Sequence, residues 1–209
     1  MSLASDSRAA LADALLDVGP DAPTLCEGWN ARDLAAHLVV RERRPDSMVG
    51  VVVPPLAGWT ERVRREAAAR PFTELVEEVR TGPPAWSPFA LPGLRDAANT
   101  GEFVVHLEDV RRAVPDWRPR ELSEADRNVL WRIVSRQGPM LYRHSPVGVV
   151  LVVPDGPRRR VRRGDVSVAV TGQPEELLLH AFGRTGHALV EVTGPDDAVD
   201  RFRGTPLGI

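Results

Sequence analysis

The sequence contains no lysine, and all 27 of its basic residues are arginine. This absence excludes any mechanism that needs a lysine side chain, such as a Schiff base or the phosphate-binding lysine of a Walker P-loop. Cys26 is the only cysteine. A single cysteine excludes an internal disulfide and any metal site built from several thiolates.

Long apolar runs are also missing. No stretch approaches the roughly 18 apolar residues that a membrane helix needs. The N-terminus lacks the basic and apolar regions of a secretory signal, so we expect a cytoplasmic protein with no membrane partner. The net charge is -2 over 209 residues. This balance excludes nucleic-acid binding driven by the charge of the whole chain.

The first two thirds of the chain show helical periodicity, broken by proline and glycine. Apolar residues recur at helical spacing and Asn30 suits a helix N-cap. We interpret residues 49–55 as a packed connection and the proline-rich residues 81–95 as a loop. The predicted helices cover residues 5–18, 30–41, 58–70, 72–80, 97–114 and 123–140.

The pattern changes near residue 145, where short alternating apolar runs begin. They predict strands at residues 147–153, around Val161, at 166–171 and at 188–193, with helices at 175–182 and 195–202. We therefore predict an α+β protein with a helical bundle over residues 1–143 and a small α+β domain over residues 144–209.

A run of arginines, residues 158–163, stands beside a predicted turn and is interrupted only by Val161. The favoured interpretation is a solvated hairpin, since charge runs usually face water. Contact with an anionic ligand is the alternative.

Two residues four apart on a predicted helix, Glu102 and His106, can bind one metal ion, because their side chains leave the same helix face. His37 lies on the apolar face of another predicted helix and is the natural third ligand. Two histidines and a carboxylate leave coordination positions open for water or substrate, as catalysis requires.

Several neighbours of this triad leave alternatives open. Asp109 is a candidate for orienting His106, or it pairs with a nearby arginine. Cys26 is best interpreted as a packed loop cysteine rather than a nucleophile. If Cys26 or Asp109 instead supplied a fourth ligand, the protein would be a non-catalytic metal- or ligand-binding module, a sensor or a storage protein.

Three segments carry a resemblance to a known family. Residues 26–38 resemble the Cys-x-Gly-Trp and Asp-Leu-x-x-His opening of the DinB-like superfamily, in its actinobacterial, mycothiol-dependent maleylpyruvate isomerase-type branch. Residues 102–106 are similar to the Glu-x-x-x-His metal motif of that branch. Residues 168–179, with Gly183 and Arg184, resemble its C-terminal domain.

The resemblance implies an up-down four-helix bundle followed by an α+β domain. It further implies a divalent ion, usually zinc, held by His37, Glu102 and His106, with mycothiol as the attacking thiol. The function it implies is a thiol-dependent transferase or isomerase acting on a small electrophile. Arginines of the C-terminal domain are suited to holding an anionic substrate. The candidates are Arg184, Arg201 and Arg203.

Overall fold

The computed structural model describes residues 2–48, 57–90 and 94–208. The chain divides into two compact units, Met1–Pro119 and Arg120–Ile209. The first unit is helical. Its α-helices are α1 (Leu3–Val18), α2 (Ala31–Arg43), α3 (Ala57–Ala68), α4 (Phe72–Thr81) and α5 (Leu94–Arg111), with short 3₁₀ helices at Pro45–Met48 and Pro88–Ala90.

The second unit is mixed. Its elements are α6 (Glu124–Leu141), β1 (Gly148–Val152), β2 (Arg158–Arg162), β3 (Ser167–Thr171), α7 (Pro174–Ala181), β4 (Glu191–Thr193) and α8 (Asp196–Arg203). A helical part followed by a part with helices and a small sheet makes the protein α+β, which confirms the predicted fold class.

Most predicted elements are present, with bounds shifted by a few residues. Helix α5 starts at Leu94, because the proline-rich loop ends earlier than its composition indicates. The predicted packed connection at residues 49–55 lies outside the described residues. No helix in the described ranges is both long and apolar enough to cross a membrane.

One apolar core organises the first unit. Helices α1, α2, α4 and α5 each contribute fully buried side chains to it, because each carries an apolar stripe at helical spacing. Its largest members are Leu11, Leu15, Leu34, Leu38, Leu75, Phe103 and Leu107. The core therefore fixes α2 and α5, the helices that carry the predicted ligands, in one rigid body.

Helix α6 belongs to the second unit, where it packs against α7. The boundary between compact units thus falls between Pro119 and Arg120, whereas the sequence places the change of character after residue 143. The difference arises because periodicity reveals that a segment is helical but not which neighbour its apolar face will cover.

The sheet of the second unit has the strand order β2-β1-β3-β4. Strand β1 is antiparallel to β2 and parallel to β3, and β4 is antiparallel to β3. One face is buried, because Val149 and Leu151 of β1 lie beside Val168 and Val170 of β3. Strand β2 stands at an edge.

A buried histidine lies within this second unit. His180 is 4% exposed, its Nδ1 atom is 2.9 Å from the Tyr142 hydroxyl, and its ring packs with those of Tyr142 and Phe202 in a cluster of three mutually contacting rings. Burial lowers the pKa of His180 from 6.5 to about 4. The folded protein therefore holds this imidazole neutral at pH values where the unfolded chain protonates it.

This difference predicts acid sensitivity. The stabilisation is complete above pH 6.5 and is lost as the pH falls from 6.5 towards 4, by up to about 3 kcal/mol. Urea unfolding at pH 7 and pH 4.5 should show a smaller loss of stability for His180→Gln than for the wild type. The exposed His144 supplies the control, since His144→Gln should keep the wild-type pH dependence. An unchanged pH dependence in His180→Gln would contradict this account.

Candidate metal centre

The structure brings the three predicted ligands together. His37 extends from α2, and Glu102 and His106 extend from successive turns of α5. Glu102 Oε1 lies 3.2 Å from His37 Nε2 and 3.3 Å from His106 Nε2. A ligand atom of each residue lies within 4.8 Å of one on each of the others. Spacing in the sequence could bring together only Glu102 and His106, because His37 lies on a different helix.

The start of α2 positions His37. The Asn30 side chain accepts a hydrogen bond from the Asp33 N–H at 3.0 Å, and the Asp33 carboxylate accepts one from the Asn30 N–H at 3.3 Å. This reciprocal cap satisfies two N–H groups that the first turn leaves unpaired. It fixes where α2 begins, and therefore which helix face carries His37.

The donor set suits a divalent ion such as zinc. Imidazole nitrogen and carboxylate oxygen bind zinc at about 2.1 Å, so two ligands of one tetrahedral ion are roughly 3.4 Å apart. The separations of 3.2 and 3.3 Å around Glu102 Oε1 agree with this value. They are also hydrogen-bond lengths, so a proton and a metal ion compete for the same nitrogen atoms.

Burial and mutual contact set the charges of the triad. Burial lowers the pKa of His37 more than Glu102 raises it, so His37 favours the neutral, ligating form. Burial raises the pKa of Glu102, but hydrogen bonds from His106 and His37 outweigh it and hold the pKa well below its usual range. Glu102 therefore stays ionised near neutral pH.

His106 is hydrogen-bonded through both ring nitrogens. Its Nδ1 atom donates to Asp109 Oδ2 at 2.9 Å, while Nε2 faces Glu102. Burial lowers the pKa of His106, but hydrogen bonds with Asp109, Cys26 and Glu102 outweigh it and raise the pKa well above 6.5. A metal ion that binds Nε2 must therefore displace a proton.

Asp109 is placed to orient His106. It is fully buried, and it lies against the nitrogen that the triad does not use. The neighbouring Glu108 lies 2.8 Å from Arg111 and 2.6 Å from Arg112. The burial of Asp109 and its contact with His106 fit the orienting role that the sequence leaves as one of two alternatives.

Cys26 lies on the same side of His106 as Asp109. Its thiol donates to Asp109 Oδ2 at 3.1 Å and is 3.8 Å from His106 Nδ1. The Leu25 N–H donates to the Asp109 carbonyl at 3.0 Å, which ties this loop to α5. Because the two imidazole nitrogens point away from each other, neither Cys26 nor Asp109 faces the three converging ligand atoms.

The sequence analysis does not place Arg41, a polar neighbour of Glu102, or its partner Asn99 at the site. Arg41 is 6% exposed and its Nε atom lies 3.5 Å from Glu102 Oε1. Its Nη1 atom donates to Asn99 Oδ1 at 2.8 Å, and its guanidinium stacks over Phe89. The available signal was the position of Arg41, four residues after His37 on the same helix face.

Trp29 forms one wall of the centre. Its ring centroid lies 5.1 Å from that of His37. The guanidinium of Arg64 lies 5.0 Å from the Trp29 ring centroid and 2.5 Å from Asp33 Oδ1. Cation–π and charge contacts thus hold the indole beside the ligand.

The C-terminal arginine candidates all lie in the second unit. Arg184 donates to the Phe182 carbonyl and Arg201 to the Pro146 carbonyl. Arg203 lines a cavity of about 240 Å³ beside His180. Their role towards a substrate stays a prediction.

Two solved structures share this fold. The crystal structure of the mycothiol-dependent maleylpyruvate isomerase superposes with a TM-score of 0.63 and 14% identity over 91% of this chain and 90% of that chain. A histidine-to-alanine mutant of that enzyme gives 0.60 and 17%, over 92% and 93%. No family model and no curated protein sequence matches the chain. At this identity, the likeness establishes the fold.

The contact between Asp109 and His106 predicts a loss of metal affinity in Asp109→Asn. Removing a carboxylate that orients a histidine ligand typically weakens binding by about 10- to 100-fold. Competition with a chromophoric zinc chelator measures the dissociation constant. Glu27→Gln removes an exposed carboxylate next to Cys26 and should leave the affinity unchanged. Equal affinities for Asp109→Asn and the wild type, with both proteins folded, would rule out the orienting role.

Proposed function

We propose that this chain binds a divalent ion, zinc by its donor set, through His37, Glu102 and His106. We further propose that it acts in the cytoplasm as a thiol-dependent transferase or isomerase on a small anionic electrophile, with mycothiol as the thiol. Metal binding is supported by the group of three possible ligands. The use of a thiol is supported by the fold that the chain shares with mycothiol-dependent isomerases.

One observation carries the proposal. Donor atoms from two helices converge, while the carboxylate of Asp109 and the thiol of Cys26 lie at the opposite nitrogen of His106. Three protein ligands without a fourth are typical of catalytic zinc sites, which keep a position open. The alternative of a closed, non-catalytic site has less support, because neither candidate for a fourth ligand faces the triad.

The protein residues have separate tasks in this proposal. Asp109 holds the Nδ1 proton of His106, so that Nε2 carries the lone pair that binds the ion. Glu102 contributes negative charge, and the adjacent Arg41 limits how basic that carboxylate is. Trp29 excludes water from one side of His37.

The bound ion would supply Lewis acidity, which lowers the pKa of a coordinated thiol. The thiol must come from outside the chain, because Cys26 donates to Asp109 on the other side of His106. Arginine side chains suit an electrophile with a carboxylate, since a guanidinium binds a carboxylate through two parallel hydrogen bonds. Arg184, Arg201 and Arg203 are the proposed candidates for this contact.

The first test is metal content. The purified wild-type protein should carry about one divalent ion per chain, and His106→Ala should carry far less. A chelator should lower the melting temperature of the wild type, because the ion binds only the folded state. His144→Ala, which changes an exposed histidine, is the matched control. Wild-type metal content in His106→Ala would show that the triad is not the site.

The second test is consumption of thiol. Metal-loaded wild type should consume mycothiol with at least one electrophile from a panel that includes maleylpyruvate. Glu102→Gln should lose this activity along with its metal, and Cys26→Ser should retain it, because the nucleophile is external. Metal-loaded wild type that neither binds nor consumes the thiol would favour the binding-module function. Activity that survives metal removal would reject the metal mechanism.

A further inference from the structure

The edge strand β2 of the second unit is made almost entirely of arginine. Arg158, Arg159, Arg160 and Arg162 are exposed, and only Val161 between them is buried. Arg163 follows directly and is exposed too. We call these five residues the arginine strand. Val161 anchors the strand, because its side chain packs directly on Gly138 of α6. A Cβ atom at position 138 would lie only 2.5 Å from Val161 Cγ1, so the contact depends on glycine.

The arginine strand lacks counter-charges. Within the described residues, none of its five guanidinium groups makes an ion pair or hydrogen bond with a carboxylate. By contrast, Arg127 of α6 in the same unit does have a carboxylate partner, since its Nε atom lies 3.2 Å from Glu175 Oε1. The guanidinium groups of the strand therefore repel one another with no direct ion pair to offset the repulsion, which costs stability.

Two cavities adjoin the arginine strand within the second unit. The larger, about 770 Å³, is lined by Arg158, Arg160, Arg162 and Arg163. The smaller, about 320 Å³, is lined by Arg158 and Arg159 together with Arg132, Arg136 and Trp131 of α6. Because Arg158 borders both, seven arginines surround one continuous stretch of surface.

Protection of a sheet edge does not account for this density of charge. A few charged residues are enough to prevent another strand from pairing with an edge. Same-side residues of a strand recur about every 6.8 Å, which is the spacing of Arg158 and Arg160. A register shift at Val161 then breaks the alternation, and Arg162 and Arg163 continue the lining of the same cavity. Guanidinium groups bind phosphate through paired hydrogen bonds, so such a row suits a chain of phosphate groups.

We propose that the arginine strand, with Arg132 and Arg136 of α6, is a binding site for an anion that carries several consecutive phosphate groups. Such an anion is either a free oligophosphate or the backbone of a single-stranded nucleic acid. All residues of this site belong to the second unit, and those of the proposed metal centre belong to the first. The ligand supplies the negative charge that the strand lacks, so affinity should fall steeply as salt concentration rises.

The test uses the full-length protein and two probes. Calorimetry measures binding of inorganic tripolyphosphate, and fluorescence anisotropy measures binding of a labelled 12-nucleotide single-stranded DNA. The double variant Arg160→Gln/Arg162→Gln should bind the preferred probe at least about tenfold more weakly, because it loses charge-assisted hydrogen bonds. The valine anchor is untouched, and thermal melting checks that the variant is folded.

Two control variants test whether the loss of affinity is specific to the arginine strand. Arg62→Gln/Arg118→Gln removes two exposed arginines elsewhere and changes the net charge equally, so its affinity should stay within about twofold of wild type. His106→Ala should bind tripolyphosphate like the wild type. Weaker binding by this variant would mean that the probe binds a metal ion at the proposed centre rather than the arginine strand.

Each result has a definite meaning. Tighter binding of tripolyphosphate identifies a free oligophosphate as the ligand, and tighter binding of DNA that grows with length identifies a nucleic-acid chain. The proposal is overturned by absence of binding at low salt, by equal losses in the two double variants, or by equal affinity for a decaglutamate peptide. The last result would mean that the strand attracts any polyanion.

Discussion

The hydrogen bonds at the two ring nitrogens of His106 are the constraint on which the rest of the candidate centre depends. Asp109 takes one nitrogen and Glu102 faces the other, so the imidazole has no freedom to rotate or to exchange its tautomer. The same Asp109 carboxylate accepts the Cys26 thiol, and its carbonyl accepts the Leu25 N–H. One residue thus aligns a proposed ligand and fixes the loop before α2.

Arginine serves opposite purposes in the two units. In the first unit, arginines are drawn into the interior and neutralised there, as with Arg8 and Glu42, or Arg64 and Asp33. Such pairs give specificity to helix packing more than net stability, because burying both charges is costly. In the second unit, β2 leaves its arginines in solvent. A chain with nearly balanced total charge can therefore have a strongly positive local surface.

The sequence predicted the helices, the strands and the pairing of Glu102 with His106, because each depends on short-range periodicity or on spacing within one helix. His37 was added from its place on an apolar helix face and from the family resemblance. Asn30 was identified as an N-cap for the same reason. The packing partner of α6 was not predictable, since it depends on contacts between distant segments. Arg41 was missed because an arginine on a mixed helix face is ordinarily solvent-exposed. Asn99 was missed with it, because Asn99 is the hydrogen-bond partner of Arg41. Whether His37, Glu102 and His106 bind metal stays a prediction.

The reciprocal cap between Asn30 and Asp33 has a consequence for how this chain can change by insertion or deletion. Each residue added to an α-helix turns everything beyond it by about 100°. Since the cap fixes Ala31 as the first residue of α2, the seven residues from Ala31 to His37 form about two turns of fixed length. A single residue gained or lost within this segment would swing the imidazole away from α5. Descendants of this chain that keep the centre should therefore show no length variation between Asn30 and His37.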